Sequence, residues 1–125
     1  MLPGVAVTRI ASHPADAAAV FVTVANSGNS HVFRSADGGS LWHDIDRGAL
    51  PDAPHHALLL RADAPEQLFV CSDAGVHLTR NGGATWLNVT GNLPKSMVVD
   101  LAYQIATKTL VAATYGRSLW ALPLG

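Results

Sequence analysis

Ser35-Ala36-Asp37-Gly38-Gly39-Ser40-Leu41-Trp42 and Thr79-Arg80-Asn81-Gly82-Gly83-Ala84-Thr85-Trp86 are one octet written twice, 44 residues apart. Each sets a hydroxyl residue, an Asp or Asn, a Gly and a Trp at the same positions. Asp and Asn hydrogen-bond their own backbone two residues on, and the glycine pair supplies positive φ, so each octet spells a tight hairpin. The Trp that follows is a large amphipathic ring suited to a seam between packed layers. Ser35, Asp37, Gly39 and Trp42, with Thr79, Asn81, Gly83 and Trp86, are therefore expected to be structural. Truncating either Trp is expected to cost about 3–5 kcal/mol.

The repeat extends beyond the octets. Leu50-Pro51 returns as Leu93-Pro94, 43 residues later. Ala19-Val20-Phe21-Val22 is similar to Gln67-Leu68-Phe69-Val70, 48 residues on, and then to Thr109-Leu110-Val111-Ala112. The first unit thus carries about four extra residues around Ala25 to Ser30. A period in the forties fits a four-stranded propeller blade or a helical repeat. The local runs choose between them. Val5-Ala6-Val7-Thr8-Arg9-Ile10, Val20-Phe21-Val22-Thr23-Val24 and Val98-Val99-Asp100-Leu101-Ala102-Tyr103 are short, rich in β-branched residues and bounded by Pro, Gly, Asp and Asn. Pro65 and Gly82-Gly83 would break a long helix, and Ala17-Ala18-Ala19 is too short to nucleate one. Strands are expected near 5–11, 19–25, 31–36 and 42–45, then 56–62, 67–72, 75–80 and 86–89, then 98–104, 109–114 and 118–122. The fold class is all-β: a partial β-propeller of about two and three-quarter four-stranded antiparallel blades. Blade 1 covers about 5–46, blade 2 about 55–90 and an incomplete blade 3 about 97–123, within one segment spanning 1–125.

The two octets resemble the Asp-box, Ser-x-Asp-x-Gly-x-Thr-Trp, of the bacterial neuraminidase (BNR) repeat found in sialidase-like and sortilin-like propellers. Leu41 stands where the motif has Thr, and Thr79 and Asn81 stand where it has Ser and Asp. Ala113-Thr114-Tyr115-Gly116-Arg117-Ser118-Leu119-Trp120 is similar to the closing blade of such propellers. The resemblance implies that the boxes join third to fourth strands on one face. It also implies that ligands use the opposite face, made by second-to-third turns and blade-to-blade links. On that face it puts Asn26 to Ser30, Asp46 to His56, Ser72-Asp73-Ala74, Gly91 to Lys95 and Tyr115-Gly116-Arg117. Arg47, His55, Asp73, Tyr115 and Arg117 are the candidate ligand residues there. Arg grips carboxylates bidentately and Tyr stacks on a sugar face.

No catalytic set assembles from these residues. A sialidase needs three convergent arginines, an acid/base and an activated Tyr, and the one glutamate, Glu66, falls on the Asp-box face. Glycosidases need two carboxylates facing one sugar, for which Asp46 and Asp73 are the available pair. The six histidines show no metal-ligand spacing, so neither a metal nor another cofactor is expected. His55 and His56 are neighbours, which in a strand point to opposite sides.

Bulk properties narrow the classes further. Hydrophobic residues make up 49 % and charged residues 14 %, enough for a core and too little charge for disorder. A net charge of −1 with scattered basic residues argues against nucleic acid and an anionic membrane as partners. The single cysteine, Cys71, lies in an apolar run and is expected to be a small core residue. No run is long enough for a membrane helix, and Met1 to Arg9 lacks the pattern of a signal peptide, so the expected location is the cytoplasm, or outside the cell with the leader missing.

Fewer than three blades cannot close a ring of four to eight. Two blade faces and a strand edge are then bare, which favours a homo-oligomer or the remaining blades of a larger propeller as partner. The expected role is a non-catalytic BNR-repeat module for assembly and carbohydrate or protein binding. The alternative is a fragment of a sialidase-like or other glycoside hydrolase propeller.

Overall fold

A computed structural model describes residues 6–25, 30–90, 98–116 and 118–124. Among the described residues, eleven strands form three antiparallel sheets. The first holds β1 (Val7–His13), β2 (Asp16–Val24), β3 (Val32–Ser35) and β4 (His43–Asp44), in that order. The second holds β5 (His55–Arg61), β6 (Ala64–Ser72), β7 (Gly75–Thr79) and β8 (Leu87–Asn88). The third holds β9 (Val98–Gln104), β10 (Thr109–Thr114) and β11 (Ser118–Pro123). Each sheet is a simple meander, and β5 packs against both β1 and β9, so the first strands of the three blades stand side by side. The chain is all-β, a partial propeller of two four-stranded blades and one three-stranded blade. The fourth strands, β4 and β8, are two residues each, shorter than expected from the sequence, because the octet turn and the following link take up the flanking residues.

The apolar material is divided between two seams. Between blades 1 and 2 lie Ala19, Phe21, Val32, Ile45 and Leu50 against Leu58, Leu68 and Val70, with Trp86 at the margin. Between blades 2 and 3 lie Ala57, Phe69, Cys71, Val76 and Leu78 against Val98, Leu101, Leu110 and Ala112. The alternation of β6 explains its composition. Leu68 and Val70 point into the first seam, while Phe69 and Cys71 point into the second. A strand covered on both faces reads as an unbroken apolar run, as Leu68-Phe69-Val70-Cys71 does.

Each first strand carries one unpaired residue near its start. The β1–β2 register jumps between Val7 and Arg9, β5–β6 between His55 and Ala57, and β9–β10 between Asp100 and Val98. Thr8, His56 and Val99 are thus bulged residues at matching positions. A bulge re-aims the side chain it carries.

Apolar groups are exposed on the two end blades: Val7, Ile10 and Leu41 on blade 1, and Tyr115, Leu119 and Trp120 on blade 3.

Candidate functional site

The octets are closed hairpins whose hydrogen bonds are internal. In the first, the Ser35 hydroxyl donates to Asp37 Oδ1 at 2.7 Å and accepts from the Gly39 amide at 2.8 Å. Asp37 Oδ1 also accepts the Ser40 and Leu41 amides, both at 3.0 Å. These donors hold the Asp37 carboxyl below the usual carboxylate range, the Leu41 amide contributing most. In the second octet Thr79 and Asn81 repeat the pattern: Thr79 Oγ1 to Asn81 Oδ1 at 2.9 Å, and the Gly83 amide to Thr79 Oγ1 at 2.9 Å. Asn serves as well as Asp because the turn uses the side-chain oxygen as an acceptor, not its charge.

The two tryptophans differ. Trp86 Nε1 donates to the Ile45 carbonyl in the neighbouring blade at 3.1 Å. Trp42 Nε1 donates to Gly39 of its own turn at 3.0 Å and enters neither seam. The expectation that both rings pack between blades is corrected for Trp42, because no described blade lies beyond blade 1 on that side.

On the opposite face, the link after β4 is fixed by two aspartates. Asp44 Oδ1 accepts the amides of Asp46 and Arg47, at 2.9 and 2.8 Å. Asp46 is buried, with Oδ1 on the Leu50 amide at 2.9 Å and Oδ2 on the His31 amide at 2.8 Å. Asp46 therefore does not face a ligand, and it cannot pair with Asp73 across a sugar. Arg47 is exposed at φ 50°, on the crest of that link.

His55 is not on the surface either. It is fully buried, with its ring stacked on His31 at 4.8 Å and Nδ1 2.8 Å from the Ala53 carbonyl. Burial pushes it down to about 4. Its neighbour takes the exposed position. The bulge turns His56 outward, and its Nε2 sits 2.6 Å from Asp73 Oδ1 in the β6–β7 turn. His55, expected on the ligand face, is thus buried while His56 reaches the surface, since strand alternation says that one of the two faces out but not which. Tyr115 is 73 % exposed on the β10–β11 turn. Arg117, with Asn26 to Asn29 and the Gly91 to Lys95 link, lies outside the described residues.

A cluster on the octet face carries no signal in the sequence. Arg61 Nε donates to Asp63 Oδ1 at 2.7 Å, and its guanidinium lies over the Tyr103 ring at 5.1 Å. The Tyr103 hydroxyl donates to Asp63 at 2.9 Å. The contacts to Asp63 hold the Arg61 guanidinium in its charged form, and burial raises the Tyr103 phenol. The cluster ties β5 to β9 across the second seam, over 40 residues of sequence.

The loop face carries a polar pair, His56–Asp73, built from the β5 bulge and the β6–β7 turn, and Arg47 and Tyr115 are exposed on other loops. A carboxylate that fixes an imidazole leaves the other ring nitrogen and the second carboxylate oxygen for hydroxyl groups. Among the described residues, no group of three His, Cys, Asp or Glu side chains is placed to hold a metal ion. Nor is any helix among them long and apolar enough to cross a membrane.

No protein-family model matches the chain, and no curated protein matches it. Solved structures do. An ancestral GH74 enzyme superposes with a TM-score of 0.70 at 19 % identity, over 93 % of this chain and 14 % of its own. The GH74 enzyme of Niastella koreensis gives 0.70 at 18 %, over 93 % of this chain and 20 % of its own. The GH74 xyloglucanase of Xanthomonas campestris gives 0.69 at 16 %, over 91 % and 20 %. These are β-propeller glycoside hydrolases. The chain shares their fold. It spans a fifth or less of their length, and at this identity the likeness speaks for architecture alone.

Proposed function

We propose that this chain is a run of Asp-box blades from a carbohydrate-active propeller, and that its own share of the work is glycan binding on the loop face around His56 and Asp73. The likeness of all three sheets to GH74 enzymes is the observation that carries this reading, and it favours the glycoside hydrolase alternative over a module built only for assembly. Hydrolysis requires two carboxylates facing one sugar. Of the two carboxylates expected to face a sugar, Asp46 is consumed by the link and Asp73 is already paired to His56. In this reading turnover draws on groups from further blades, and this chain alone binds without cleaving.

Amide NMR titration with xyloglucan and cello-oligosaccharides tests the reading, alongside a reducing-sugar assay. Expected are shifts confined to the 45–56, 72–75 and 115–116 loops, abolished by Asp73→Ala, with no sugar released. An absence of shifts with every glucan would leave only a shared fold. Release of sugar by this chain alone would make it an enzyme in its own right.

A second reading concerns partners. Ile10, Leu41 and Leu119 are each more than 60 % exposed, on the two end blades, where a ring would continue. We propose that further blades cover them, from a second copy or from a longer chain. Light scattering after size exclusion separates the cases: a discrete dimer or trimer supports self-assembly, and a monomer supports blades from elsewhere.

A further inference from the structure

Four titratable groups meet in the seam between blades 1 and 2, beneath the link that joins them. His31 stands at the head of β3, and Asp46 follows β4, both from blade 1. His55 opens β5 and His77 lies in β7, both from blade 2. All four are buried. His31 Nδ1 lies 3.2 Å from Asp46 Oδ2, and its Nε2 lies 3.1 Å from Oδ1 of Asp52 on the link. The His55 ring stacks on His31, interplanar angle 26°, and His77 shares the field of Asp46. Because His55 Nδ1 faces the Ala53 carbonyl, that nitrogen carries the proton and Nε2 is bare. His55 Nε2 and His77 Nδ1 are buried with no hydrogen-bond partner among the described residues.

We propose that this cluster is a proton-operated latch: it holds blade 1, blade 2 and the 46–54 link together while His55 and His77 are neutral, and it releases the link in acid. The charge balance gives the direction. Asp46 is the one buried carboxylate, and His31 is already beside it. The groups facing His55 are His31, Asp46 and His77, and Asp52 meets the cluster at His31 Nε2. A proton on His55 or His77 therefore creates a buried cation with no counter-charge of its own and no acceptor for the new N–H. Release exposes both rings to water, where the charge is solvated.

Burial pushes His55 from 6.5 to about 4 and pushes His77 down as well. A depressed imidazole binds its proton in the open state first. The latch is therefore fully closed above about pH 6.5 and weakens as pH falls toward 4. The shift of about 2.5 on His55 corresponds to roughly 300-fold in the closing equilibrium. The link also presents Ile45, whose carbonyl holds Trp86, so its release loosens the indole contact across the same seam. None of this depends on a glycan ligand.

Hydrogen exchange of the whole chain from pH 7 to pH 4, corrected for the intrinsic pH dependence of exchange, tests the latch. Protection of segment 45–61 is expected to fall by up to about 300-fold while β9–β11 keep theirs. His55→Phe, which preserves a stacked ring without a titrating nitrogen, is expected to remove most of that fall, and His77→Leu a smaller part. Parallel loss of protection in β9–β11, or an undiminished fall in a folded His55→Phe, would overturn the proposal. Should neither variant fold, the wild-type contrast between the two segments decides it.

Discussion

Trp86 Nε1 reaches across a blade seam to the Ile45 carbonyl at 3.1 Å, and Gly83 sits so close to that same carbonyl that a side chain there would collide with it. Trp42, at the matching place in the first octet, finds only its own Gly39. The two indoles thus have equal sequence signatures and unequal structural weight. Trp86→Ala is expected to cost about 3 kcal/mol and Trp42→Ala about 1 kcal/mol, from the range for large-to-small changes scaled to what each ring touches. Urea unfolding followed by circular dichroism checks the order. Equal losses would show that the first octet is packed against a neighbour, as in a self-assembled ring.

The glycines give a sharper version of the same contrast. Gly83 and Gly39 both have positive φ, 95° and 107°. A Cβ on Gly83 would lie 2.3 Å from the Ile45 oxygen, whereas one on Gly39 meets only the edge of the Trp42 ring at 3.6 Å. Gly39→Ala is expected to cost about 1–2 kcal/mol for the left-handed backbone alone. Gly83→Ala adds a backbone clash and is expected to exceed about 3 kcal/mol. Gly83→Ala and Trp86→Phe share one carbonyl, so their effects should be non-additive in a double-mutant cycle.

The limits of the sequence follow from the same pattern. The octet repeats and the unbroken run at Leu68 to Cys71 report on local turns and on a strand covered on both faces, and these carry the all-β propeller. What lay out of reach depends on pairings between distant segments. Nothing in the sequence says that Asp46 is consumed by the His31 and Leu50 amides, or that Arg61, Asp63 and Tyr103 converge. The choice between His55 and His56 turns on a one-residue bulge, which reverses the side a residue faces without changing its identity.

Asp37 and Asn81 allow an electrostatic test of the octet. Asp37 is held below its ordinary pKa, so its contribution is present above about pH 4 and is lost as pH falls through the lowered value. Asp37→Asn keeps the acceptor oxygen, as Asn81 does. The variant is expected to fold with the wild-type urea midpoint at pH 7 and to lose less stability than wild type on going to pH 3. A variant that unfolds at pH 7 would show that the charge, not the acceptor, closes the turn.

Cys71 reports on the second seam. It is fully buried among Ala57, Phe69 and Leu110, and burial pushes its thiol up to about 12. A thiolate is the reactive form, so the native chain should resist a disulfide reagent at pH 8 and react stoichiometrically once unfolded in urea. The linkage runs in the opposite sense to that of the histidines. The unfolded chain loses the Cys71 proton near pH 9 while the folded chain keeps it to about 12, so stability declines as pH rises between those values. Cys71→Ala should remove that alkaline slope at the cost of a small cavity, about 1 kcal/mol. Rapid labelling of the native chain at pH 8 would mean that blade 3 detaches from blade 2 often enough to admit solvent, with the first seam left as the stable one.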